Sequence, residues 1–140
     1  MLYLDTSVVI TALTNEPRTA ETQTWLAAQN PDELIISDWV VTEISSALSI
    51  KLRTGQLDAM QRAEVLSQFQ QLSNDSLTIV PVSGANFRTA ARFADQFALG
   101  LRAGDALHLA IAAERGATLC TLDRRLAEGG TALGAMTHML

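Results

Sequence analysis

Met1-Leu2-Tyr3-Leu4-Asp5-Thr6-Ser7-Val8-Val9-Ile10 opens the chain. An apolar run ends in a carboxylate, two hydroxyls follow, and a second apolar run begins at once. The first run reads as a buried strand, Leu2-Tyr3-Leu4, with an acid at its carboxyl end. Thr6 and Ser7 are placed to cap a helix beginning near Val8, because their hydroxyls can accept orphan N–H bonds. In open α/β sheets ligands bind just outside the carboxyl ends of the strands. Asp5 is therefore the first candidate functional residue, and the rest of the chain is read by what it returns to that position.

Outward from this stretch, short strands alternate with helices. Asn15-Glu16-Pro17 ends the first helix, since proline disfavours a helical residue before it. Thr19 to Gln29 is expected to be helical with Trp25 and Leu26 on its buried side, and Asn30-Pro31-Asp32 is a turn. Leu34-Ile35-Ile36-Ser37 is a second strand. Asp38 caps a helix from Trp39 to about Arg53, along which Val40, Ile44, Ala47, Leu48 and Leu52 recur at helical spacing; Thr54-Gly55 closes it. Leu57 to Leu72 is a further amphipathic helix with Met60, Ala63, Leu66, Phe69 and Leu72 inward, so that the two helices form an antiparallel hairpin, followed by a loop over Ser73-Asn74-Asp75-Ser76. Leu77 to Val82 is a third strand, with Pro81 at its end or on an edge. Ser83 caps a helix from about Gly84 to Leu99, which Gly100 stops. The helix from about Ala103 to Arg115 is apolar nearly all round, hence central. Ala117 to Thr121 is a fourth strand. Gly129-Gly130 breaks a short helix after Asp123, and a small last strand lies near Ala135 to His138. This alternation implies a parallel sheet of four to five short strands, right-handed βαβ connections and helices on both faces, a three-layer α/β/α domain.

Composition narrows the class. At 140 residues one domain spanning 1–140 is expected, with length enough for a core. Apolar residues at 48% and charged residues at 18% fit a globular chain. No apolar run approaches the roughly 18 residues of a membrane helix. The strand-like Leu2-Tyr3-Leu4 begins almost at Met1, and no signal peptide is read there. A lone Cys120 excludes an internal disulfide framework, so a reducing compartment, the cytoplasm, is expected. A net charge of −5 argues against broad electrostatic capture of nucleic acid, yet acids gathered at a metal site count as negative until cations arrive.

Four acids share one predicted sheet edge. Asp5 follows the first strand, Glu43 lies on the first turns of the helix after the second, Asp105 opens the central helix, and Asp123 follows the fourth strand. Carboxylates brought together stay ionised only with cations bound. All-oxygen ligands suit Mg²⁺ or Mn²⁺. Such an ion can polarise a phosphoryl group and lower the pKa of water, and two ions would serve both ends of an in-line displacement. The chain offers no other nucleophile with a base beside it. Each acid also has a plainer reading. Asp5 and Asp105 can serve helix N-termini and Asp123 a surface turn. Glu43, on an apolar stripe, is the hardest to explain without a partner or metal. Thr6, Ser7 and Thr121 can support the carboxylates or simply cap and turn. Arg102 can meet a phosphate or pair on the surface. Lys51, Arg53, Arg124 and Arg125 are candidates for guiding a polyanion, or solvated charges. His108, one turn beyond Asp105, can be a ligand or proton carrier, but alone in an apolar helix it is read as a satisfied core residue and left out of the site.

Leu4-Asp5-Thr6-Ser7, Glu43 in Val-Thr-Glu-Ile, Asp105-Ala106 opening an alanine-rich helix, and Thr121-Leu122-Asp123 together resemble a PIN-domain nuclease, across essentially the whole chain. The length resembles the VapC-type toxins of toxin–antitoxin pairs. The resemblance implies a Mg²⁺- or Mn²⁺-dependent endoribonuclease, with Asp5 and Asp105 as main ligands and Glu43 and Asp123 binding metal directly or through water. It also implies a homodimer and a cognate antitoxin that covers the cleft. Arg124-Arg125 stand where some members carry a further acid, which leaves one carboxylate fewer for a second ion. A haloacid-dehalogenase-like phosphatase would need a second Asp at position 7, which is Ser. A phosphoacceptor receiver domain would need an acid pair near the first strand and a late lysine, and neither is present. The alternatives within the fold are an RNA-processing nuclease without a toxin role and a non-catalytic binding module. The helical hairpin over Trp39 to Leu72 is expected to help hold the antitoxin or the dimer.

Overall fold

The structure, a computed structural model, describes residues Met1–Leu140. Five strands make one sheet: β1 (Leu2–Leu4), β2 (Leu34–Ser37), β3 (Thr78–Val80), β4 (Thr118–Thr121) and β5 (Thr137–Met139). Seven α-helices flank it: α1 (Thr6–Leu13), α2 (Thr19–Ala27), α3 (Asp38–Arg53), α4 (Ala59–Ser76), α5 (Gly84–Ala94), α6 (Ala103–Glu114) and α7 (Arg124–Ala132). The strand order is β3-β2-β1-β4-β5 and every pairing is parallel. β1 is the middle strand, with Leu2 opposite both Leu34 and Thr118. The chain winds outward from β1 through β2 to β3, then crosses back to place β4 on β1's other side. That reversal opens a crevice at the carboxyl ends of β1 and β4, where ligands bind in sheets of this kind.

The core explains the central position of β1 and α6. Tyr3, Leu4, Ile36, Leu119 and Cys120 of the inner strands are completely enclosed, and α6 buries an unbroken run from Ala106 to Ala112. One cluster of 25 buried residues joins the sheet to α1, α3, α4, α5, α6 and α7. Burial also pushes the Cys120 thiol up to about 12, so it stays a neutral packing group. No helix is long and apolar enough to cross a membrane.

Several local expectations are corrected. Thr6 and Ser7 lie inside α1, and Asp5 caps it by accepting a bond from the Val8 N–H at 3.2 Å. Asp38 is the first residue of α3 rather than its cap. Ser37 occupies the cap position, but its hydroxyl turns inward to Tyr3 at 2.7 Å. On α2 Trp25 and Leu26 do pack against the core, as expected, beside the fully buried Thr22, and the Trp25 ring stacks on His138 at 5.7 Å. α4 starts later than expected, behind an Asp58–Gln61 capping box, and continues through Ser73–Ser76, the expected loop. Its inner face is set by Val65 and Phe69, while Met60 is 83% exposed. α5 stops at Ala94, and a 3₁₀ turn over Phe97–Leu99 leads to Gly100 at φ 64°. Gly129-Gly130 does not break α7. A Cβ on Gly129 would meet the Leu101 side chain at 2.9 Å, and one on Gly130 would meet Thr137 at 2.6 Å. These glycines let α7 lie close to its neighbours, at the usual helix-propensity cost of about 1 kcal/mol each.

Candidate metal centre and active site

Asp5 ends the middle strand and is 4% exposed. Three donors hold its carboxylate: Ser7 Oγ at 2.5 Å and Val8 N at 3.2 Å on Oδ1, and Thr121 Oγ1 at 2.6 Å on Oδ2. The same hydroxyls reach into the loop after β4. Ser7 Oγ accepts from Leu122 N at 3.0 Å, and Thr121 Oγ1 accepts from Asp123 N at 2.9 Å. Asp5 is therefore tied through Ser7 to the Leu122 backbone and through Thr121 to the Asp123 backbone. Burial raises the Asp5 pKa above its ordinary value, against the lowering pull of His108, Ser7, Thr121 and the Val8 N–H. Capping and site formation, alternatives in the sequence, coexist in this one side chain.

Glu43 is half-buried on α3. Its Oε1 accepts from Thr6 Oγ1 at 2.7 Å and is bonded to His108 Nε2. Burial pushes the Glu43 carboxyl up, but the His108 bond and charge and the Thr6 bond outweigh it, leaving the pKa below the ordinary glutamate value. His108 is 3% exposed on α6, and its Nδ1 lies 2.8 Å from the Tyr3 hydroxyl. Sequence reasoning missed His108. A helical position one turn beyond Asp105 was the available signal, and the apolar surroundings of α6 outweighed it.

Asp105 and Asp123 are partly buried at the helix starts of α6 and α7. Asp105 Oδ2 accepts from Arg102 N at 3.3 Å, and Asp123 Oδ1 accepts from Arg125 N at 2.9 Å and Leu126 N at 3.3 Å. Burial raises the Asp105 pKa, and repulsion from Asp123 and Glu43 adds to this against the Arg102 N–H bond and His108. Asp105 is thus within electrostatic reach of both acids. No three of the site's acids or His108 stand close enough to form a ready-made ion cage. The donor set still fits Mg²⁺ or Mn²⁺. It is all oxygen, it repels itself, and Mg²⁺ is commonly held by one or two carboxylates with waters completing its shell.

The cations around the crevice differ from one another. Arg102 is exposed and makes no ion pair, which leaves its guanidinium available to an anion. Lys51 is bound to Glu16 at 2.5 Å and is taken up structurally. Arg125 lies along Gly100, with its Cδ 3.5 Å from where a Cβ would sit. Arg53 and Arg124 are exposed.

A parallel sheet with a switch point beside β1, and acids at its carboxyl edge, define a three-layer α/β domain with a polar crevice. Residues 2–130 match the PIN domain, and the chain belongs to the PIN-domain family. Ribonuclease VapC47 of Mycobacterium tuberculosis (strain CDC 1551 / Oshkosh) is 31% identical to it over 140 residues, covering 98% of this chain and 95% of that one. Among solved structures, FitAcB from Neisseria gonorrhoeae superposes with a TM-score of 0.77 at 18% identity, over 98% of this chain and 96% of that chain. Mycobacterium tuberculosis VapC20, described as a sarcin–ricin loop cleaving toxin, superposes with a TM-score of 0.73 at 14% identity, over 97% of each. A toxin–antitoxin complex from Klebsiella pneumoniae gives 0.59 at 19% identity, over 88% of this chain and 87% of that chain. At these identities the structures share the fold.

Proposed function

We propose that the chain is a single-domain, divalent-metal-dependent endoribonuclease, the toxin of a type II toxin–antitoxin pair. The observation that carries the reading is the enclosed Asp5 carboxylate just after the middle strand, tied through Thr121 to Asp123 and through Ser7 to its neighbour Leu122. Support for RNA as substrate comes from a relative that is a ribonuclease over nearly the same length. Asp5 and Asp105 hold Mg²⁺ or Mn²⁺, and Glu43 and Asp123 do so directly or through water. A divalent ion, when bound, supplies charge stabilisation at the phosphoryl group and makes water more acidic. Ser7, Thr121 and the Val8 N–H keep the Asp5 carboxylate in one orientation, and Thr6 does the same for Glu43. Arg102, exposed beside Asp105, takes a substrate phosphate. The overall reaction forms a bond from water oxygen to phosphorus and breaks the bond from phosphorus to O3′, leaving a 5′-phosphate and a 3′-hydroxyl.

The protein works in the cytoplasm as a homodimer held in check by an antitoxin. The hairpin of α3 and α4 contributes to those contacts, because Ile50 and Met60 are exposed large apolar side chains on it. Unchanged dimer mass and antitoxin capture after Ile50→Lys with Met60→Lys would count against that role. The catalytic reading is tested with partner-free protein and a defined RNA, in Mg²⁺, Mn²⁺ or EDTA. Cleavage is expected with either ion and none with EDTA. Asp5→Asn should lose roughly 10²–10³ in kcat, the scale set by removing one charge-stabilising group. Full activity in Asp5→Asn, or cleavage indifferent to EDTA, contradicts the reading.

A further inference from the structure

We infer that His108, backed by Tyr3 and Ser37, is a positioning residue that selects which oxygen of Glu43 faces the ion site; this rests on the metal-dependent reading above. Four side chains from β1, β2, α3 and α6 form one continuous chain of hydrogen bonds. Ser37 Oγ lies 2.7 Å from Tyr3 Oη, Tyr3 Oη lies 2.8 Å from His108 Nδ1, and His108 Nε2 is bonded to Glu43 Oε1. Ser37, Tyr3 and His108 are all buried. Tyr3 has its pKa raised mainly by burial, so it remains a neutral phenol able to donate.

Donor counting fixes one end of the chain. Ionised Glu43 can only accept, so His108 Nε2 carries a proton whatever the state of the ring. Nδ1 accepts from the Tyr3 hydroxyl in a neutral ring or donates to its oxygen in a charged one, and Ser37 completes the chain as donor or acceptor accordingly. Either way every group is satisfied, and Tyr3 and Ser37 hold the ring so that Nε2 meets the carboxylate. Thr6 Oγ1 donates to the same Oε1 at 2.7 Å. With two donors on Oε1, the carboxylate presents Oε2, which makes no protein hydrogen bond and faces Gly104, where a Cβ would stand 3.2 Å away. Gly104 adjoins Asp105 in the chain, so the free oxygen lies beside the start of α6. Groups that orient a metal-binding carboxylate in this way typically change metal affinity or activity by 10–100-fold when removed.

The test uses the full chain without partner and reads Mn²⁺ affinity by titration calorimetry, alongside kcat and KM for RNA cleavage. His108→Leu should weaken Mn²⁺ binding by about 10–100-fold and lower kcat more than it raises KM. His108→Gln, which can place an amide N–H where Nε2 stands, should restore Mn²⁺ affinity to within about threefold of wild type, on the scale of one modest hydrogen-bond change. In a Glu43→Gln background, His108→Leu should add no further loss, because the two act as one unit. Should His108→Leu fail to fold, Tyr3→Phe and imidazole ¹⁵N NMR carry the test. A protonated Nε2 on His108 is expected in wild type, and Tyr3→Phe should weaken Mn²⁺ binding. Wild-type Mn²⁺ affinity in His108→Leu or Tyr3→Phe, an unprotonated Nε2, or losses from Glu43 and His108 that multiply independently would overturn the inference alone. Wild-type protein that binds no Mn²⁺ and cuts no RNA would overturn the functional reading and the inference with it.

Discussion

A carboxylate as enclosed as Asp5 is costly to ionise, and the sign of that cost can be measured. Its pKa and that of Asp105 are raised in the folded chain, chiefly by burial. Between the ordinary aspartate value, about 3.9, and the raised value, the folded state binds more protons than the unfolded one. The stability contributed by each group is therefore complete below that window and is lost as pH rises through it. Glu43 runs the other way. Its folded pKa is depressed, so its contribution is present above the unfolded value and is lost as pH falls through the folded one. In ion-free protein, urea unfolding of wild type and Asp5→Asn should show the stability difference moving in favour of the variant as pH rises from about 4 to 7. A pH-independent difference would contradict a raised Asp5. Asp5 and Glu43 were both legible in the sequence, one from its place after an apolar run and the other as a charge on an apolar stripe. His108 was not, because an imidazole in an apolar helix looks the same whether its partner is a distant glutamate or nothing. Only the Glu43–His108 bond, which joins α3 to α6, distinguishes the two.

At the scale of the element, glycine carries two different meanings in this chain, and the sequence does not mark which. Gly100 ends a turn at φ 64°, as a stop signal should. Gly130 sits inside α7, where the space beside it is already occupied by Thr137 Cγ2 and Leu109 Cδ1, at 2.6 and 3.0 Å from an added Cβ. Gly130→Ala should therefore destabilise the protein by about 1–3 kcal/mol through overpacking, despite alanine's better helix propensity. A rise in Tm on this substitution would show that the close approach is not needed. Gly104 combines packing with the site. Gly104→Ala places a methyl 3.2 Å from Glu43 Oε2 and 3.5 Å from Trp39 Nε1. It should reduce Mn²⁺ affinity while leaving the melting temperature within a few degrees, and a normal affinity would mean that Oε2 is not the oxygen in use. On α4 the period places Leu66, Phe69 and Leu72 correctly on the inner face but not Met60 and Ala63. Met60 and Ala63 fit a helical stripe as well as Val65 does, and the packing of α4 on the core, not the period of the sequence, decides which stripe turns inward.

Over the whole molecule, the order β3-β2-β1-β4-β5 puts Asp5 and Asp123 just beyond the carboxyl ends of adjacent strands, with Asp105 within electrostatic reach of Asp123 and Glu43. The strand–helix alternation made that edge foreseeable. The strand order was not foreseeable from periodicity, which identifies strands without pairing them. A net charge of −5 is compatible with an RNA-cutting protein when part of that charge is gathered where cations bind. The most direct measurement is the anomalous difference map of crystals soaked in Mn²⁺. The expected result is a peak between the carboxylates of Asp5 and Asp105, on the side of Glu43 Oε2 and Asp123, and its loss in Asp5→Asn. A Mn²⁺ peak on another face of the molecule, or one unchanged in Asp5→Asn, would contradict the assignment of these four acids to a single ion site.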